Sequence, residues 1–251
     1  MALSKTSILA MAAGVGLAVQ HWLIWLVTPE AQSGPVQKIF YMHLPIAWWG
    51  LVSFLVVFLA SLAYLLRRSP RMDALAGAAA ELGVLFTTLV LVTGSIWARA
   101  EWGHWWVWDP KLTTALIMWY VYAGYLVLRS SPLGRERRAL VCAVVGVAAF
   151  LDVPLVFFAT KLWGGVHPAD TARHASGMTP EMWRTVFVGL GAMGLMWGTL
   201  ISLRLRQRLA AGRLEALLAG NGPLDDLDDD ISDAISDDIS DETRGGRPEG
   251  R

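Results

Sequence analysis

Residues 75–97 read LAGAAAELGVLFTTLVLVTGSIW, twenty-three positions with a single charge, Glu81. A helix needs about 20 predominantly apolar residues to cross the hydrocarbon core of a bilayer, so this stretch is long enough to span one. Five more of the same kind run over roughly 7–27, 45–66, 112–128, 139–159 and 183–203. The composition of the 251-residue chain agrees: 55% of residues are hydrophobic, 17% are charged and the mean hydropathy is +0.45, outside the range of soluble domains. The expected fold is all-α, a polytopic bundle of six transmembrane helices over residues 1–213. Only Lys5 precedes the first stretch, and no small-x-small cleavage site follows it, so it reads as a retained span and not a removed signal.

Arginines mark one side of the bundle. Arg67, Arg68 and Arg71 lie between spans two and three, Arg129, Arg135, Arg137 and Arg138 between four and five, and Arg204, Arg206, Arg208 and Arg213 after span six. By the positive-inside rule both termini are expected to be cytoplasmic. Three loops then face outward, at about 28–44, 98–111 and 160–182. From residue 214 the composition shifts to Asp, Ser and Ile, with DDDISDAISDDISDE at 228–242. Mutual repulsion and sparse apolar content predict a disordered cytoplasmic tail over 214–251.

Several chemistries are excluded. Cys142 is the lone cysteine, so the chain has no CxxC or CxxCH motif and no internal disulfide framework. It also lacks a GxxxxGK[ST] phosphate loop, so any ATP would be hydrolysed by a partner.

The middle outward loop holds EWGHWWVWDP at 101–110. On a helix, Trp102, Trp105, Trp106 and Asp109 share one face, and Pro110 disfavours helical geometry at residue 109. The loop is therefore expected to form a short amphipathic helix lying in the interface. Tryptophan is enriched at membrane interfaces in any case, but an aromatic belt scatters one or two per interface and does not cluster four within seven residues. Stacked indoles suit a large, flat, polarisable ligand, and Lys38, Arg99 and Lys111 stand ready for an anionic edge. Haem has these properties and takes axial ligands from protein, commonly histidine.

His43, in YMHLPIAWW, and His167, in KLWGGVHPAD, lie in the other two outward loops and are the candidate iron ligands, with His174 in reserve. His104, within the tryptophan run, points off the expected helical face. His21, beside Gln20 in span one, reads as an interhelical hydrogen-bonding group. Glu81 and Asp152 are costly in lipid and are expected to face the bundle interior; Asp152, near the outer end of span five, either orients a ligand histidine or sits idle among headgroups. Gly194 and Gly198 form a GxxxG helix-packing pattern.

WGHWWVWD resembles the WGxWWxWD signature of the tryptophan-rich haem-handling membrane proteins of cytochrome c biogenesis. With six spans, a length near 250 and the YxHxP setting of His43, the chain is similar over roughly residues 5–205 to the haem exporter protein C (CcmC) family. The resemblance implies a haem b site at the outer face, built from Trp102, Gly103, Trp105, Trp106, Trp108 and Asp109, with His43 and His167 as axial ligands. Lys38 and Lys111 suit the propionates by charge and position. It further implies delivery to a membrane-anchored, CcmE-like haem chaperone, and a complex with an ABC ATPase, its membrane subunit and a small CcmD-like single-span protein in a bacterial inner membrane. No enzymatic activity and no nucleic-acid partner is implied. Larger proteins with the same signature attach the haem, using further spans and histidines that this chain is too short to supply.

Two other classes make distinct predictions. A cytochrome b-type oxidoreductase needs histidine pairs within spans, where this reading places only His21. A purely structural transporter subunit would tolerate the loss of His43.

Overall fold

In the computed structural model, residues 4–28, 34–167 and 178–218 are described. Among the described residues seven α-helices follow in chain order: α1 Lys5–Trp22, α2 Lys38–Arg67, α3 Pro70–Trp102, α4 Pro110–Arg129, α5 Arg135–Ala149, α6 Asp152–Trp163 and α7 Pro180–Leu218. A π-helical turn, Leu23–Val27, prolongs α1, and a 3-10 turn, Gly34–Gln37, leads into α2. Among the described residues six segments are long and apolar enough to cross a membrane, α5 and α6 counting as one. Each of the six expected stretches lies inside one of them. Residues Met1–Leu205 form one compact unit and Arg206–Arg251 a second. The second is described only over the last turns of α7, which carries 214–218 as helix; the rest of the expected acidic tail lies outside the described residues.

Proline and a capping residue set the helix starts. Ser69 precedes Pro70 in α3 and Asp109 precedes Pro110 in α4, each with extended backbone at the cap and proline at the first helical position, where its missing N–H costs nothing. At about 1.5 Å per residue, the 33 residues of α3 exceed the roughly 30 Å hydrocarbon core. Helix ends therefore project into the interface, and the site is built from them.

Small residues let the helices approach closely. Ala78, Ala79 and Ala80 of α3 are buried against a core that includes Phe54, Val57, Tyr122 and Tyr125. Phe54 stacks on Tyr122 at 3.7 Å between ring centroids, and a Cβ at Gly83 would come 2.4 Å from the Phe54 ring. Gly194 of α7 plays the same part under the indole of Trp49, whereas a Cβ at Gly198 would meet nothing within 4 Å. Only half of the GxxxG pair is thus used in packing within the described chain.

Several embedded polar groups pair across helices. Glu81 pairs with Arg204 of α7, with Nη2 donating to Oε1 at 2.7 Å. Arg129 bridges α4 to α3 by donating to Asp73 Oδ1 at 2.8 Å and to the Asp73 carbonyl at 3.0 Å. Pro45 lies inside α2 and lacks the N–H that would bind the carbonyl four residues earlier, at Tyr41. Gln20 of α1 supplies the missing donor, with Nε2 2.8 Å from the Tyr41 carbonyl. Gly189 of α7 makes room for both, since a Cβ there would come 2.4 Å from Gln20 Nε2 and 3.0 Å from Pro45 Cγ.

Two expectations for polar residues are corrected here. His21 is exposed and bonds within its own helix, Nδ1 to the Leu17 carbonyl at 2.8 Å; the interhelical bond belongs to Gln20, one residue and about 100° away around the helix. Asp152 does not sit near the outer end of its span, where it could orient a ligand histidine. It opens α6 at a break in the fifth segment, eleven residues before Trp163, or about 16 Å along a helix axis. The break has a local cause: Pro154 has no N–H for the Phe150 carbonyl, and Val153 bonds that carbonyl instead, at 3.1 Å.

Candidate functional site

The tryptophan run is not a helix of its own, contrary to the expectation from its spacing. α3 continues to Trp102 and closes on Gly103, which adopts a left-handed φ of 76°. Arg99 donates to the Gly103 carbonyl, so an exposed helix end is satisfied by glycine and a cation together. Residues 103–109 then pass between α3 and α4 without helical structure. Pro110, read as a helix stop, is the first residue of α4.

Asp109 organises this loop. It is buried, at 4% exposure, although it is a carboxylate in a connecting loop. Its Oδ1 accepts from the backbone N–H of Lys111 at 2.9 Å and of Leu112 at 3.4 Å, which caps α4. Its Oδ2 accepts from the backbone N–H of His167 at 3.2 Å. One carboxylate thus joins the tryptophan loop to the segment after α6. Gly165 permits the approach: with φ of +140° it brings the chain so near that a Cβ would stand 2.0 Å from Asp109 Oδ2.

That junction brings His167 to the tryptophans. The imidazole of His167 meets the indole of Trp102 edge to face, at 5.6 Å between centroids and 72° between planes. Trp106 and Trp108 meet in the same manner, at 5.8 Å and 80°. Trp106 and Trp108 therefore cross and do not lie as one flat platform. Trp105 and Trp108 are 60% and 76% exposed, which leaves indole surface open to a ligand. The buried Nε1 of Trp106 has no acceptor among the described residues.

His43 does not lie in a loop. It sits in the second turn of α2, within a candidate span, which removes the premise that His21 alone is so placed. It packs on α3: Nδ1 lies 2.8 Å from Thr93 Oγ1, the ring lies 6.0 Å from the indole of Trp97, and a Cβ at Gly94 would come 3.3 Å from Cε1. Trp97 and Trp102 both stand in the last turns of α3, so His43 and His167, which meet these two indoles, lie at the same helix end. Two imidazoles, one ammonium, Trp102 and Asp109 thus gather at one end of the bundle from α2, α3, α4 and the segment after α6.

Other expected members stand apart. Lys38 holds its ammonium 4.8 Å from the ring centroid of Trp25, and its five-residue separation from His43 puts it about 140° away around α2. His104 is exposed in the loop. His174 lies outside the described residues. Thr93, Gly94, Trp97 and Gly165 escaped the sequence reading; the first three lie in the stretch that opened it, where hydropathy hides individual roles.

Residues 1–219 match the family described as Heme exporter protein C (CcmC). The chain belongs to the haem exporter protein C family. It is 32% identical over 211 residues to the Heme exporter protein C of Bradyrhizobium diazoefficiens, covering 83% of this chain and 80% of that one. The protein of the same name from Paracoccus denitrificans is 31% identical over 212 residues, covering 82% and 88%. A putative cytochrome c biosynthesis ccmC-like mitochondrial protein of Marchantia polymorpha is 29% identical over 185 residues, covering 73% and 78%. Membership of the haem exporter protein C family, with six segments able to span a membrane, makes haem handling in cytochrome c biogenesis the setting in which the site is interpreted.

Proposed function

We propose that this protein binds haem b at the outer face of a bacterial inner membrane and presents it to a membrane-anchored haem chaperone of the CcmE type. His43 and His167 are the axial ligands. Trp102, Trp105, Trp106 and Trp108 supply apolar, polarisable surface for the macrocycle, Gly103 sets the turn that carries them, and Lys111 faces a propionate. Lys38 is a second propionate partner only if its ammonium leaves Trp25. The role is binding and transfer, with no bond of the porphyrin made or broken. Its setting is a complex with an ABC ATPase, the membrane subunit of that ATPase and a small CcmD-like subunit, with both termini cytoplasmic.

The observation that carries this reading is the Asp109 junction, which brings the segment of His167 against Trp102 while α2 delivers His43 to the same end. The residues fit the ligand: iron held by a porphyrin has two axial positions, for which histidine is a common ligand, and two imidazoles beside exposed indoles and a lysine are a matching set. A site held by loops and helix ends also suits a cargo that must be released.

The test is the visible spectrum of the detergent-purified chain coexpressed with the chaperone, compared with His43→Ala, His167→Ala and His174→Ala. A bis-histidine spectrum lost in the first two and kept in the third is expected. Colourless wild type under haem-replete conditions would overturn the reading and favour a structural subunit.

A further inference from the structure

We propose that Thr93 is a positioning residue for His43, fixing the imidazole as the Nδ1–H tautomer so that the lone pair of Nε2 is the one offered to iron. The inference rests on the haem-binding reading above for its purpose, but its physical content concerns the haem-free chain.

A threonine hydroxyl has one proton to give. In Thr93 that proton is committed to its own helix: Oγ1 donates to the Leu89 carbonyl at 2.7 Å, with the Val90 carbonyl at 3.3 Å as a weaker second acceptor. This i−4 back-bond is common for threonine in helices. What remains on Oγ1 is acceptor capacity. The contact of 2.8 Å with His43 Nδ1 must then run from Nδ1–H to Oγ1, because two acceptors facing each other would repel. A neutral imidazole protonated at Nδ1 carries its lone pair at Nε2.

The neighbours of Thr93 hold the ring to that edge. Gly94 lets the imidazole lie against the backbone of α3, where even a methyl group would stand 3.3 Å from Cε1. Trp97, one turn on, closes edge-on at 6.0 Å. The Nδ1 and Cε1 edge therefore faces α3, and Nε2 makes no hydrogen bond among the described residues. Outer partners of this kind typically change ligand affinity about 10- to 100-fold when removed.

The experiment uses the full chain in detergent, labelled with 15N-histidine, as wild type, Thr93→Val and Thr93→Ser, with His43→Ala to assign the resonance. Valine keeps the shape of threonine and has no oxygen; serine restores the oxygen. In the haem-free wild type His43 is expected to show a protonated Nδ1 and a bare Nε2. Thr93→Val is expected to lose that preference, to bind added haemin about 10-fold more weakly and to alter the low-spin spectrum, with Thr93→Ser recovering all three. A wild-type tautomer and haemin affinity in Thr93→Val, or no recovery in Thr93→Ser, would overturn the inference. If His43→Ala takes up haemin as well as the wild type, the haem reading fails instead, while the tautomer measured without haem still decides the role of Thr93.

Discussion

Replacing Asp109 by asparagine separates the two tasks of its carboxylate. Asparagine keeps Oδ1 and is as good an N-cap as aspartate, so the bonds from Lys111 and Leu112 that start α4 survive. The other oxygen becomes an amide NH2, a donor, and faces the His167 N–H that Oδ2 accepted at 3.2 Å. A hydrogen bond to a charged group contributes about 1.5–3 kcal/mol, and each 1.4 kcal/mol is about tenfold in an equilibrium. The ordered placement of His167 should thus weaken about 10- to 100-fold relative to competing loop positions. Haemin titration of the purified protein should show weaker uptake, with a shift from a six-coordinate low-spin to a five-coordinate high-spin spectrum as His167 is lost and His43 retained. Thermal unfolding should remain close to wild type for asparagine. Asp109→Ala, which also removes the cap, should lose roughly a further 1 kcal/mol of stability. An asparagine variant with wild-type affinity and spectrum would refute the reasoning, as would an affinity that falls only in step with the melting temperature.

Gly165→Ala should reproduce the Asp109→Asn phenotype, because its Cβ would occupy the place of Oδ2; the double variant should bind haemin no worse than either single one. Gln20→Leu leaves the Tyr41 carbonyl without its donor and should cost about 1–3 kcal/mol, seen as a lower melting temperature in detergent with the haem spectrum intact. Gly83→Val drives a side chain into the Phe54 ring and should destabilise by about 1–3 kcal/mol or more. Gly124→Ala, whose Cβ would meet nothing within 4 Å, should be as stable as wild type or more so, given the helix preference of alanine over glycine of about 1 kcal/mol.

The spans were legible because the bilayer imposes a length and a composition that hydropathy reads directly. Their ends were less so. The apolar run alone places His43 in a loop ahead of span two, while the helix begins at Lys38, where backbone bonding and not hydropathy decides. In the tryptophan run the i, i+3, i+4, i+7 spacing was real but was overridden by two local signals also present in the sequence: a glycine able to adopt positive φ, and an Asp-Pro pair that starts a helix. Between Gln20 and His21 only packing could choose, since both are polar and they differ by a rotation. Thr93 and Trp97 were invisible for another reason: their meaning comes from a residue fifty positions away.

The proline in α2 makes the chain's tolerance to change conditional. While residue 45 is proline, the amide at residue 20 is needed across the helix boundary. Alanine at 45 would provide the N–H itself and release residue 20 from that requirement. A substitution at 20 is therefore harmful in one genetic background and close to silent in the other, although the two positions belong to different helices. Epistasis of this sign, measured as a double-mutant cycle, would trace the α1–α2 contact without any structure, and it gives the order in which a lineage could lose the two residues: the proline first.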